Sequence, residues 1–90
     1  MPYIHKDDRV FYDPIIEMLN HQVAQSDYNP GVLNYIISKL IWEVFKKSPC
    51  YTTANELMGV LECAKLEFYR RQIAPYEDTK IHNPDNGDLK

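Results

Sequence analysis

The sequence predicts an all-α fold: a small helical domain of about three helices, dominated by an antiparallel hairpin of the second and third helices, with an irregular C-terminal tail. Apolar residues recur at three- and four-residue spacing in three segments. Helix-start signals precede these segments and prolines separate them, whereas no segment before residue 78 requires a strand. We therefore expect a single helical domain over residues 1–77 and a polar tail over residues 78–90.

The first helix is expected to run from about Asp13 to Gln25. Asp13 suits the N-cap and Pro14 suits the first helical position, where the missing N–H of proline costs no hydrogen bond. Before this helix, the segment KDDRVFY predicts a separate helical turn capped by Asp7 or Asp8. Apolar residues inside the helix follow one another at four-residue spacing: Ile15, Leu19 and Val23.

The second helix is predicted after the turn-forming stretch SDYNPG. Asn29 and Pro30 repeat the combination of a capping residue and a proline at the first helical position. The helix then continues as GVLNYIISKLIWEVFKK and ends before Ser48 and Pro49.

The third helix is predicted after the short connection SPCYT. Thr53 and Glu56 form a capping box, in which each side chain bonds the free backbone N–H of the other residue. The helix is expected to run to Ala74 and to stop at Pro75, because a proline disfavours helical geometry in the residue before it. A connection this short makes the second and third helices antiparallel neighbours.

Both long helices carry apolar residues on more than one side, which predicts self-association. The remaining alternative is that the first helix and the tail cover all of this apolar surface. On the second helix the broad apolar face, expected to form the core, consists of Leu33, Ile36, Ile37, Leu40, Ile41, Val44 and Phe45. Apolar and small residues on the other sides of the two helices are candidates for an interface between subunits: Tyr35, Trp42, Leu66, Ile73, Gly59 and Cys63.

The stretch LEFYRRQIAPYE, residues 66–77, is the candidate binding site. In an antiparallel hairpin centred near residue 50, this stretch lies level with the LNY motif of the second helix. A guanidinium close to tyrosine rings suits a phosphate or carboxylate. The candidate ligand-binding residues are Arg70, Tyr69, Tyr76, Asn34, Tyr35, Lys39 and Lys65.

Each candidate also has a purely structural interpretation. Arg71 follows Glu67 by four residues, which favours a structural ion pair that ties down the helix end. Asn34 lies among apolar positions, which favours a buried amide that bonds a neighbouring helix or the tail. Tyr76 and Glu77 belong either to a surface tail or to a segment that packs back on the helices or on another subunit.

Composition excludes several classes of function. The formal net charge of −3 argues against a general nucleic-acid binder. Neither a phosphate-binding glycine loop, nor a nucleophile with an adjacent base, nor a metal-ligand set is recognisable, so we expect no enzyme, no cofactor and no metal. No apolar run approaches the ~20 residues that span a bilayer, and the polar N-terminus is unlike a signal peptide. Two cysteines without a CxxC pair fit a reduced cytoplasmic compartment.

Several motifs resemble a family of small proteins of unknown function encoded by phages and prophage-like regions of bacterial genomes. They are LNYIISKL (33–40), GVLECAKLEFYRRQIAPYEDTKI (59–81) and the terminal NGD (86–88), together with the opening MPYI and the DP pair at 13–14. The longer, proline-containing HNPDNGD tail departs from the pattern. The resemblance implies a phage-type origin and a site of action in the host cytoplasm, and it implies nothing catalytic.

Two functions of different class follow as hypotheses. The first is a homo-oligomer that binds a small nucleotide-like anion, similar in size and layout to oligomeric sponges that sequester the nucleotide signals of bacterial immune systems. This is an analogy at the level of the fold. The second is an accessory protein that docks on a host protein through the aromatic face of the second helix and takes no small ligand.

Overall fold

The computed structural model describes residues 3–89, and within this range the chain consists of helices, turns and irregular segments without a strand. The all-α prediction is confirmed. Met1, Pro2 and Lys90, which the predicted domain and tail include, lie outside the described residues. In chain order the elements are a 3₁₀ helix (Lys6–Phe11), α1 (Asp13–Gln25), α2 (Pro30–Lys47), α3 (Tyr51–Phe68), a π-helical turn (Tyr69–Ile73) and α4 (Ala74–Ile81).

The first helix has the predicted bounds, but its capping differs from the prediction. Asp13 is the first residue of α1 rather than its N-cap, and Tyr12 precedes it without a side-chain cap. The predicted turn before α1 is the 3₁₀ helix, and neither of its aspartates caps it. Instead, Nδ1 of His5 accepts a hydrogen bond from the backbone N–H of Asp7 at 3.2 Å.

The second helix begins as predicted. The side chain of Asn29 accepts a hydrogen bond from the backbone N–H of Gly31 at 2.8 Å, and Pro30 occupies the first turn. The connection from α1 reverses direction through Asp27 and Tyr28, which both adopt positive φ angles, 57° and 56°. Such angles are costly for a tyrosine, so this turn is held by the surrounding hydrogen bonds, among them Ser26 Oγ to the Val23 carbonyl at 2.6 Å.

The third helix begins two residues earlier than predicted, at Tyr51. The first helical hydrogen bond runs from the N–H of Ala54 to the carbonyl of Cys50 at 3.0 Å, so Cys50 occupies the capping position. Thr53 is therefore inside the first turn and does not form the predicted capping box. The hydroxyl of Thr53 lies 3.4 Å from the sulfur of Cys50 instead.

The prediction that Pro75 stops the helix is wrong. The chain passes from α3 through the π turn into α4, and Pro75 lies in the first turn of α4. In an α-helix the ring of Pro75 would clash with the carbonyl of Arg71, four residues earlier. The N–H of Ala74 instead bonds the carbonyl of Tyr69, five residues earlier. This wider turn relieves the clash and lets the helix continue.

The C-terminal segment is helical for longer than predicted and then turns. Asp78 to Ile81, predicted to lie in the tail, belong to α4. After α4 the backbone N–H groups of Asn86 and Gly87 both bond the carbonyl of Asn83, at 3.1 and 3.3 Å. Gly87 has a φ of 74°, a left-handed conformation that glycine adopts without steric cost.

No residue between 3 and 89 is buried. The face of α2 that was expected to form the core is therefore only partly covered: Ile36 and Ile41 are half-buried, whereas the remaining members of this face are exposed. The prediction of a formed core within the single chain is wrong. The apolar periodicity identifies a surface that requires cover, and in the described chain this cover is incomplete.

The chain divides into two units, residues 3–57 and residues 58–89 of the described range. The first unit holds the 3₁₀ helix, α1 and α2; the second holds the π turn and α4. The predicted antiparallel packing of α2 on α3 and the domain boundary at residue 77 stay predictions. Across the described residues, no helix combines the length and the apolar character needed to cross a lipid bilayer.

Candidate functional site

The residues around the π turn form the candidate site in the second unit. Tyr69 and Arg70 begin the π turn, and Tyr76 lies in the first turns of α4. These three candidates were predicted from sequence, and the structure places them within one continuous helical stretch. We call the whole set the π-turn cluster: Glu67, Tyr69, Arg70, Arg71, Tyr76, Glu77 and Lys80.

Glu67 is the anionic centre of the cluster. Nη2 of Arg70 donates a hydrogen bond to Oε1 of Glu67 at 2.8 Å, and Nε of Arg71 lies 3.7 Å from the same oxygen. Only 18% of the Glu67 side chain is exposed, whereas 69% of the Arg70 side chain is exposed. The structural pairing expected for Arg71 is therefore present, and Arg70 shares the same carboxylate.

A second contact connects the π turn to α4. A hydrogen bond to the Glu77 carboxylate raises the pKa of the Tyr69 phenol, and the negative charges of Glu77 and Asp78 act in the same direction. The phenol keeps its proton because a phenolate beside these carboxylates would be repelled. Tyr69 is thereby a neutral phenol beside the carboxylates of α4.

Tyr76 provides the aromatic part of the cluster on α4. Nζ of Lys80 lies 5.1 Å from the centre of the Tyr76 ring, within the range of a cation–π contact. Tyr76 is exposed, so the contact forms at the surface. Tyr76 and Glu77 are both helical and both exposed, so the choice between a surface segment and one that packs on another subunit stays a prediction.

The remaining candidate ligands do not join the cluster. Nζ of Lys65 pairs with Glu62 at 3.3 Å on α3. Asn34, Tyr35 and Lys39 lie on α2, in the other unit, and their approach to the π-turn cluster stays a prediction. Asn34 is exposed rather than buried, and its Oδ1 accepts a hydrogen bond from Oγ of Ser38 at 3.0 Å. The interpretation of Asn34 as a buried amide that bonds a neighbouring helix or the tail is wrong, because its side chain is exposed and its hydrogen-bond partner, Ser38, belongs to the same helix.

The candidate interface residues differ in exposure. Tyr35 and Trp42 are both 64% exposed, and Leu66 is exposed as well. Cys63 and Ile73 are half-buried. A Cβ built on Gly59 would meet no atom within 4 Å, so the space beside this glycine is open in the single chain. Participation of these residues in an interface stays a prediction.

Sequence reasoning missed two features. Lys80 stands four residues after Tyr76, a spacing that could have indicated the cation–π contact. Cys50 lies at an open apolar recess lined also by Phe45, Pro49, Tyr51 and Ala54. Hydrogen bonds from Thr53 and from Ser48 lower the pKa of the exposed Cys50 thiol. No sequence signal pointed to this recess, because it depends on where α3 begins.

The π-turn cluster combines guanidinium donors, a neutral phenol and an exposed aromatic ring, all beside a carboxylate. These groups suit recognition of an anion with an attached planar ring. In the described part of the chain, no group of three His, Cys, Asp or Glu side chains is arranged to hold a metal ion.

Comparisons with known proteins give one match. Neither the curated proteins nor the solved structures compared with the chain include a match. The matching family is described as a domain of unknown function, DUF6899, and the match covers residues 1–89. Because the match extends over nearly the whole sequence, the chain belongs to the DUF6899 family of unknown function.

Proposed function

We propose that this chain is a non-enzymatic, homo-oligomeric binding protein whose ligand is a small nucleotide-like anion held at the π-turn cluster. A phage-type origin, as the sequence resemblance implies, would make the ligand a nucleotide signal of the host's immune response, sequestered in the host cytoplasm. The fold-level analogy to nucleotide sponges supports only this choice of ligand class.

The proposal rests on the exposure of the Arg70 guanidinium and on its hydrogen bond to Glu67. A guanidinium has five N–H donors in a planar fork, and Arg70 contacts Glu67 through Nη2 while 69% of its side chain is exposed. Glu67 therefore orients the guanidinium without enclosing it. A phosphate can bind the outward edge bidentately, while an exposed ring such as Tyr76 provides a surface for stacking of a base.

The π turn supports the same location. Short π-helical turns occur frequently at functional sites, because they displace side chains from the regular helical positions. Here the turn displaces Tyr69 and Arg70 relative to α4. The carboxylate of Glu77 raises the pKa of the Tyr69 phenol, so the phenol stays a neutral donor at this turn.

The test is calorimetric titration of the purified protein with cyclic mononucleotides and cyclic dinucleotides. Binding is expected for at least one of them, and Arg70→Ala is expected to weaken it at least tenfold. Lys46→Ala is the matched control, because Lys46 is equally exposed and pairs with Glu43 three residues earlier on α2. If no nucleotide binds, or if both substitutions have the same effect, the proposal fails.

A second candidate function has its own supporting observation. Tyr35 and Trp42 are seven residues apart on α2 and equally exposed, and exposed aromatic residues are typical anchors of protein interfaces. The chain would then be an accessory protein that docks on a host protein. Recovery of the same host protein by wild-type chain and by Lys46→Ala, but not by Trp42→Ala, would support this function over nucleotide binding.

A further inference from the structure

Three lysines of the described helices follow a glutamate by three residues, and two of them pair with it. Their Nζ atoms lie 3.4 and 3.3 Å from the carboxylate, in the pairs of Lys46 with Glu43 and Lys65 with Glu62. Lys80 follows Glu77 at the same spacing on α4, but these two side chains form no ion pair. The lysine of α4 therefore has a different partner.

The partner of Lys80 is an aromatic ring. Its Nζ lies 5.1 Å from the centre of the Tyr76 ring, four residues earlier on the same helix. The carboxylate of Glu77 acts instead on the phenol of Tyr69, whose pKa it raises. An aromatic face attracts a cation but carries no net charge. The ammonium of Lys80 thus keeps its full positive charge beside a tyrosine that is 59% exposed.

This contact is weak enough for a ligand to replace it. An exposed cation–π contact shifts an equilibrium by about two- to fivefold, whereas stacking of a base on an aromatic side chain shifts it by roughly five- to a hundredfold. A base can therefore take the place of the ammonium on the Tyr76 ring. In a nucleotide one sugar separates the base from the phosphate, and the flexible four-carbon stem of Lys80 lets its ammonium follow the phosphate.

We propose that Lys80 is the residue that selects a phosphorylated ligand over the uncharged nucleoside at the π-turn cluster. In the structure its ammonium lies over the Tyr76 ring; a stacking base takes this place, and the ammonium moves onto the phosphate. A nucleoside has no phosphate, so it displaces the ammonium without a compensating contact. The inference rests on the proposed function and deepens it, because it requires a phosphate next to the base that stacks on Tyr76.

A purely structural role of Lys80 makes a different prediction. Lys80 lies in the last turn of α4, where a cation interacts favourably with the carbonyl end of the helix. Loss of such a role would change the affinities for a nucleotide and for its nucleoside by the same factor. The ratio of the two dissociation constants therefore separates selection of the phosphate from stabilisation of the helix.

The experiment measures this ratio by NMR titration of wild type and of Lys80→Met. The ligands are the cyclic mono- and dinucleotides of adenine and guanine, together with adenosine and guanosine. Methionine keeps an unbranched side chain with good helix propensity and removes the charge. We expect the nucleoside to bind about two- to fivefold more tightly, because its base no longer displaces an ammonium. The preference for the nucleotide should fall at least fivefold, because its phosphate loses a charged donor.

Two further variants serve as controls. Lys80→Arg keeps the charge and the contact with an aromatic ring, so it should keep the preference for the nucleotide within about twofold. Lys46→Met removes the same charge from the last turn of α2 and should change neither affinity. Circular dichroism measures the helicity of each variant, and Lys80→Gln, which is also uncharged, gives the same comparison if Lys80→Met loses helicity.

The outcomes distinguish this inference from the proposed function. If wild type binds a nucleotide and Arg70→Ala weakens that binding, but the preference falls less than fivefold in Lys80→Met, the role of Lys80 is overturned and the proposed function stands. A preference that falls equally in Lys46→Met also overturns the role of Lys80. A wild-type protein that binds no nucleotide overturns both.

Discussion

Replacement of Glu67 by glutamine is expected to change stability and anion binding in opposite directions. Glu67 contacts Arg70 at 2.8 Å and Arg71 at 3.7 Å through one oxygen. Ion pairs of this spacing on helices contribute about 0.3–0.5 kcal/mol each, and exposed pairs in general about 0.2–1 kcal/mol. The low exposure of Glu67 favours the upper part of this range. We therefore expect Glu67→Gln to lower the free energy of unfolding by about 1 kcal/mol.

The same substitution removes a negative charge beside the guanidinium of Arg70. An incoming phosphate is then no longer repelled by the Glu67 carboxylate, while the amide oxygen of glutamine can still accept the hydrogen bond of Arg70. We therefore expect the affinity for a bound cyclic nucleotide to increase by about two- to fivefold, which corresponds to roughly 0.4–1 kcal/mol. Thermal unfolding measures the first effect, as a decrease in Tm of about 4–8 °C for a domain of this size. Calorimetric titration measures the second.

Glu43→Gln is the control for this prediction. It makes the same change of net charge at a more exposed carboxylate, which pairs with Lys46 at 3.4 Å. Its effect on stability should stay within about 0.5 kcal/mol, and its effect on anion affinity should be absent. If Glu67→Gln weakens anion binding, or if the two substitutions have equal effects on both quantities, the role assigned to Glu67 is refuted.

Three further predictions concern the local structure. Asn29→Ala should lower the free energy of unfolding by about 1 kcal/mol in chemical denaturation, because it removes the cap of α2; an unchanged midpoint would contradict this. Pro75→Ala should let the π turn become regular α-helix, which NMR would detect as a hydrogen bond from the N–H of residue 75 to the carbonyl of Arg71, and it should weaken nucleotide binding. A π turn that persists in this variant would show that the proline does not cause it. Glu77→Gln should lower the pKa of Tyr69 in an ultraviolet titration. Because the pKa of Tyr69 is raised in the folded state, the protonated phenol stabilises the fold at a pH below its unfolded-state pKa. This stabilisation is lost as the pH rises through the folded-state pKa. Glu77→Gln should reduce the alkaline loss of stability.

The parts of the fold that depend only on residues close together in the sequence were predictable. The bounds of α1 and the beginning of α2 follow from a proline in the first turn and, for α2, from the side chain of Asn29. Such signals act over two or three residues, so they need no knowledge of the tertiary structure. The pairing of Glu67 with Arg71 is predictable for the same reason, since four residues separate them on one helix.

Two features could not be predicted from local signals. A proline such as Pro75 usually ends a helix. Here the backbone N–H of Ala74 bonds the carbonyl of Tyr69, five residues earlier, and this π-helical hydrogen bond allows the helix to continue. Whether a chain forms such a turn or ends the helix depends on the stability of the helix that follows. The burial of the apolar side chains of α2 could not be predicted either. Their spacing shows which side of the helix is apolar, but it does not show which other surface packs against that side.

The proposed function requires the chain to form a homo-oligomer. Sedimentation equilibrium of the wild-type protein over a wide concentration range, with helicity recorded on the same samples, measures whether it does. We expect a mass that is a multiple of 10.6 kDa at high concentration, with mass and helicity falling together on dilution. A species of 10.6 kDa that keeps its full helicity at every concentration would contradict the proposed homo-oligomer.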